Sequence, residues 1–118
     1  MPQLIPTDFS GQNAVDSYGP GFFRIGGKVS HGPQVVEGDR VTPWGGLSDD
    51  APLRALAGRV DVLFLGMGEQ VALAPQDLIA ALSSLGLRVE TMTTPTAART
   101  YNVTLSEGRR VACALLPV

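Results

Sequence analysis

Positive charge is scarce in this 118-residue chain: lysine occurs once, at Lys28, and nine basic residues face eleven acidic ones for a formal charge of −2. Arg109-Arg110 is the one basic pair. Nucleic-acid binding needs a field of cations to replace phosphate counterions, so DNA and RNA are poor candidates as partners. Cysteine is also single, which removes any intrachain disulfide. Cys113 lies within the apolar run 111–116 and reads as a buried small hydrophobe rather than a reactive thiol. The lone histidine, His31, has no Cys, His or carboxylate beside it at metal-ligand spacing, so no zinc site or other metal is expected. No nucleophile elbow accompanies it either, and it reads as a solvent-facing residue at the end of a hairpin. Long apolar runs are missing too. The longest candidate, residues 60–65, contains Asp61, and insertion into a membrane is not expected. Residues 1–12 hold no basic residue and no apolar stretch of the signal-peptide kind, and Asp8 speaks against an Arg-rich transit peptide. A reducing, cytoplasmic setting follows as an expectation.

What is present suits a folded domain. An apolar fraction of 44% with only 17% charged residues indicates a well-buried chain, and this length favours one core. Residues 1–17 mix Pro2, Pro6, Gly11 and Asn13 without periodicity and read as an extended lead-in with room for one edge segment, leaving 18–118 as a single domain. After a turn at Tyr18–Gly21, Phe22–Ile25 and Lys28–His31 flank Gly26-Gly27, the pair a two-residue β-hairpin demands. A further strand is expected at Val35-Val36 or Val41–Trp44, on an edge because of Pro43. Ser48, followed by Asp49 and Asp50, suggests the cap of a short helix carrying Leu53 and Leu56 and ending at Gly58.

Residues 60–65 form a mostly apolar run that predicts a central strand buried on both faces in a partly parallel sheet. Pro75 opens a helix with Leu78, Ile79, Leu82 and Leu85 on one face and Gly86 as its stop. Residues 87–92 alternate as a strand with one less-buried face, and Thr94-Pro95 starts a helix ending near Glu107-Gly108. Residues 110–116 complete the pattern as an apolar strand. The alternation predicts an α/β domain with helices packed on a sheet and an N-terminal β-hairpin lying against it or extending it.

Candidate chemistry centres on Gly66-Met67-Gly68, which follows the buried strand where glycine-rich loops approach phosphates. A dinucleotide fingerprint needs a third glycine leading into a helix, whereas Glu69–Ala74 intervene, so a tight turn is the favoured reading. If strands 60–65 and 87–92 are parallel neighbours, their carboxyl ends bring Gly66–Gly68 beside Thr93 and Thr94, where open α/β sheets bind ligands. The following helix start would then offer free N–H groups to a small anion, although Thr94 as an ordinary cap explains the same residues. Arg99, Tyr101 and Asn102 form a polar cluster that either anchors the last helix or faces a partner. Trp44, between Pro43 and Gly45, is a core plug or an interface anchor, with the plug favoured.

The order of these features resembles a known family. Tyr18 through Gly21-Phe22, Pro43-Trp44 before Ser48, and strand 60–65 into Gly66-x-Gly68 are followed by Leu85-Gly86-Leu87-x-Val89-Glu90 and Thr94-Pro95-x-Ala97. Tyr101-Asn102, Glu107-Gly108-Arg109 and a final Leu115-Leu116-Pro117 complete the series. Together they resemble the domain of unknown function 498 family, which includes a mitochondrial assembly factor of respiratory complex I. The resemblance implies a three-layer fold with a central mixed sheet, no established catalytic residues, no cofactor, and a protein partner such as a respiratory-complex assembly intermediate. Met67 departs from the small or hydroxyl residue common between the two loop glycines, which favours an apolar contact over a ligand site. A non-enzymatic binding or assembly protein is therefore expected, with Met67, Trp44 and Tyr101 as anchors. The alternative is a small-molecule or anion-binding enzyme or sensor at the strand-end loops, using Thr94, Arg99 and Asn102.

Overall fold

The computed structural model describes residues 12–70 and 73–118. Most of the lead-in therefore lies outside the described residues, and its end supplies the edge segment allowed for it, since strand β1 (Val15–Gly19) lies on the edge of a small sheet. It pairs antiparallel with β2 (Phe22–Ile25), which pairs in turn with β3 (Lys28–His31), giving a three-stranded sheet in the order β1-β2-β3. Tyr18 and Gly19 belong to β1, so the turn expected at Tyr18–Gly21 narrows to Pro20-Gly21. The hairpin is as predicted: Gly26 and Gly27 take φ of +57° and +82°, a backbone that other residues rarely adopt.

Both segments offered for the next strand are strands. β4 (Gln34–Glu37) pairs antiparallel with β5 (Arg40–Pro43), and Pro43 lies on a sheet edge. Helix α1 (Ala51–Arg54) starts later than Ser48 predicts, with Asp50 at its N-cap position. The Asp49 carboxylate instead accepts the Gly45 N–H at 2.8 Å, closing the Gly45-Gly46 turn, and Asp50 pairs with Arg54 at 2.7 Å. Strand β6 (Val62–Gly66), helix α2 (Gln76–Ser84), strand β7 (Arg88–Met92), helix α3 (Thr94–Ser106) and strand β8 (Val111–Leu115) follow.

The main sheet runs β5-β4-β8-β6-β7, with β6 parallel to both β7 and β8 and β4 antiparallel to β8. It is a mixed sheet, as expected. Its centre is β8 rather than the 60–65 strand, although β6 and β8 are both buried at every position. Leu85 leaves the apolar face assigned to it: it follows the last turn of α2 and is 45% exposed, while Leu87 takes the buried place.

Alternate residues of each strand divide between two cores, as a two-residue period requires. On one face Val36, Val62, Phe64, Val111, Cys113 and Leu115 pack under α3 and under Val15, Phe23 and Ile25 of the small sheet. On the other, Val35, Leu63, Leu65, Ala112 and Ala114 pack against Leu53 of α1, Leu78 and Leu82 of α2, and Trp44. Three layers result: α3 with the small sheet, the five-stranded sheet, then α1 with α2.

Candidate functional site

The parallel pairing of β6 with β7 brings the Gly66–Gly68 loop to the start of α3. Gly66 lies so close to α3 that a β-carbon there would sit 2.9 Å from the Thr94 Cα and 3.0 Å from Leu115. The Met67 N–H donates to the Met92 carbonyl at 2.8 Å, and the Leu116 N–H to the Gly66 carbonyl at 3.0 Å. Sequence reasoning assembled these residues correctly. It misassigned Thr94, which is the first residue of α3, while Thr93, in extended conformation, occupies the N-cap position.

Thr94 is fully buried, and its hydroxyl joins three segments. It accepts the Gly68 N–H at 2.9 Å and donates to the Leu116 carbonyl at 2.6 Å, while the Thr94 N–H donates to the Gly68 carbonyl at 2.8 Å. The Thr93 hydroxyl donates to that of Thr96 at 3.0 Å. The N–H groups of Met67, Gly68 and Thr94, which would face an anion at this rim, are thus already paired within the chain. Thr94 is a clamp between loop, helix and C-terminal segment, neither an ordinary cap nor an open ligand contact.

The second cluster separates by burial. Tyr101 is fully buried, so it is a core residue and not a surface anchor. Its hydroxyl accepts the Gly38 N–H at 3.1 Å and donates to the Asn13 carbonyl at 3.4 Å, and burial raises its pKa well above the ordinary tyrosine value. Asn102 holds β1: its Oδ1 accepts the Val15 N–H at 2.9 Å and its Nδ2 donates to the Val15 carbonyl at 2.8 Å. One side-chain amide thereby imitates a neighbouring strand. Arg99 is exposed beside Asp16, Tyr18 and Pro95, along a groove of about 160 Å³. Trp44 is the core plug favoured from the sequence, buried against the α1–α2 layer, and no described residue accepts its indole N–H.

At the opposite end of the sheet a groove of about 240 Å³ is lined by Glu37, Asp39, Arg59, Arg109 and Arg110. Two of its arginines are paired: Arg59 with Glu37, and Arg110 with Asp61 at 2.8 Å. The Arg110 hydrogen bond holds the Asp61 carboxyl below its usual range. Among the described residues, no three His, Cys, Asp or Glu side chains gather closely enough to hold a metal. Burial pushes the Cys113 thiol far above its ordinary pKa.

The sequence reading missed a wider cavity of about 540 Å³ between the hairpin and the β4–β5 ribbon, where Lys28, Ser30, Gln34, Asp39 and Val41 meet. The available signal was the placement of Lys28 and Ser30, which share the inner face of the hairpin with Phe23 and Ile25.

Fold and site together define a small three-layer α/β domain whose strand-end loops are pinned to one another. The chain belongs to the family described as "Protein of unknown function (DUF498/DUF598)", whose model matches residues 15–116. An uncharacterised protein of Rhodobacter capsulatus is 52% identical over 93% of this chain and 89% of its own length. NADH dehydrogenase [ubiquinone] 1 alpha subcomplex assembly factor 3 of Danio rerio is 29% identical over 97% of this chain and 70% of its own length. Among solved structures, an outer membrane protein from Bartonella henselae superposes with a TM-score of 0.82 at 27% identity, covering 94% of this chain and 99% of that one. A Mth938-like domain from Bordetella pertussis does so with a TM-score of 0.79 at 26% identity, covering 98% and 92%. Among the described residues, no helix is long and apolar enough to cross a membrane.

Proposed function

We propose that this chain is a non-enzymatic binding protein that assists the assembly of a multisubunit complex, with respiratory complex I as the first candidate. The supporting observation is its likeness to a complex I assembly factor along 97% of the chain. The self-paired rim agrees with it, because a loop whose donors are internally satisfied suits a rigid contact surface better than an anion cradle. On this reading the contact surface is the carboxyl end of β6 and β7, with the half-buried Met67 and Thr93 and the exposed Arg99. Leu73, 91% exposed on the loop between β6 and α2, supplies the apolar anchor. Trp44 and Tyr101 lie in the core and supply no aromatic anchor to this surface.

Two measurements test this in a bacterium carrying the protein. Deletion is expected to lower NADH:quinone oxidoreductase activity and leave partly built subcomplexes on native gels. Leu73→Asp, a change at a fully outward side chain, is expected to reproduce that loss with an unchanged melting temperature. Normal complex I content in the deletion strain overturns the proposal. We place the protein in the cytoplasm, where a chain with one buried thiol and no disulfide suits reducing surroundings. Recovery with the outer membrane on fractionation overturns that placement.

A further inference from the structure

The inner face of the hairpin changes character from β2 to β3. Antiparallel register sets Phe23 opposite Ser30 and Ile25 opposite Lys28, and residues directly opposite each other point to the same side of a sheet. Phe23 and Ile25 belong to the core above the main sheet, so Ser30 and Lys28 face that sheet too. Beneath them Gln34 pairs with Pro43 and Val36 with Val41, and Val36 lies in the same core, so Gln34, Val41 and Pro43 face the hairpin. The layers do not close on each other here. They leave between them an open cavity of about 540 Å³, within the ~300–1,000 Å³ usual for small-ligand sites.

An inward lysine on an edge strand is one way proteins discourage edge pairing, and that would account for Lys28 alone. It does not account for the group placed near it. Asn13 ties the hairpin turn to the β4–β5 turn: its N–H donates to the Gly38 carbonyl at 2.8 Å, and its carboxamide fills the space beside Gly26. Lys28 and Asp39, each next to one of those turns, therefore stand at the same end of the cavity. Neither takes part in any ion pair among the described residues. From that end Ile25 and Val41 lead to Ser30 and to Gln34, whose Nε2 donates to the His31 carbonyl at 2.9 Å.

We propose that this cavity binds a small zwitterion of the α-amino-acid type. Lys28 takes its carboxylate, Asp39 its ammonium, and Ile25 with Val41 an aliphatic side chain. The site is separate from the strand-end rim and does not depend on the assembly role. Both charged groups are solvent-exposed, where ion pairs contribute little, so weak binding is expected.

The test titrates the isotope-labelled full chain with L-leucine, N-acetyl-L-leucine and L-leucinamide at near-neutral pH, following backbone amide shifts. Leucine is expected to give saturable shifts in β3, β5 and the Gly38-Asp39 turn. Each capped analogue, lacking one charge, is expected to bind about five-fold more weakly, as is leucine to Lys28→Met or Asp39→Asn, matching loss of one exposed contact. Both side chains are exposed, and melting temperatures show whether the variants fold; the capped analogues test the wild-type chain regardless. Absence of saturable shifts in these strands, or capped analogues binding as tightly as leucine, overturns the proposal.

Discussion

At the scale of single residues, Thr94 and Gly66 carry more of the architecture than their size suggests. Replacing the Thr94 hydroxyl by a methyl leaves the Gly68 N–H and the Leu116 carbonyl without their buried partner. Each orphaned group costs about 1–3 kcal/mol, so Thr94→Val is expected to lose about 2–6 kcal/mol in urea denaturation, and Thr94→Ser much less. Gly66→Ala drives a β-carbon against α3 backbone, which cannot swing aside as a side chain would. A loss of about 1–3 kcal/mol is expected from that overpacking. Because both changes act on one contact, their double mutant should lose less than the two single losses combined. Additive losses would show that the clamp and the close approach are independent.

At the scale of elements, β1 depends on a side chain from another layer. Asn102 completes the outer hydrogen bonds of Val15, so Asn102→Ala should free the start of β1 while β2 and β3 keep their hairpin. Hydrogen exchange should then quicken at Val15 and spare Phe23; equal loss of protection across the small sheet would contradict this. The element-scale reading also shows where the sequence was legible. Gly26-Gly27 between two apolar-polar runs specified the hairpin, and the apolar run before Gly66 specified a doubly buried strand, because both signals are local. Strand order is not local: β6 and β8 read equally apolar, and only the antiparallel return of β4 onto β8 makes β8 the centre. The same limit hid the work of Thr94. Its neighbours in sequence describe a helix start, while its hydroxyl partners lie 22 and 26 residues away. For Asn102 the signal was real, an amide within a helix that propensity does not ask for, but its partner on β1 was not readable.

At the scale of the whole molecule, the three layers place two weak acids, Cys113 on the central strand and Tyr101 on the helix above it, in one core. Burial raises both pKa values above their unfolded values, ordinarily 9.0 for the thiol and 10.0 for the phenol. A group whose folded pKa is raised favours the native state fully below its unfolded pKa, and that advantage is lost as pH climbs above it. Stability should therefore hold near neutrality and begin to fall near pH 9, with each group contributing a slope of about 1.4 kcal/mol per pH unit once its unfolded form ionises. Asp61 runs the other way, its lowered pKa adding stability that is lost only as acid protonates it. Denaturant midpoints measured across the alkaline range separate the contributions. Cys113→Ala should lower stability at neutral pH by opening a small cavity, yet flatten the decline that starts near pH 9. Tyr101→Phe should leave that onset in place and flatten only the steeper part above pH 10. If the Cys113→Ala protein declines as steeply between these two values as the native chain, the buried thiol is not what limits the fold in alkali.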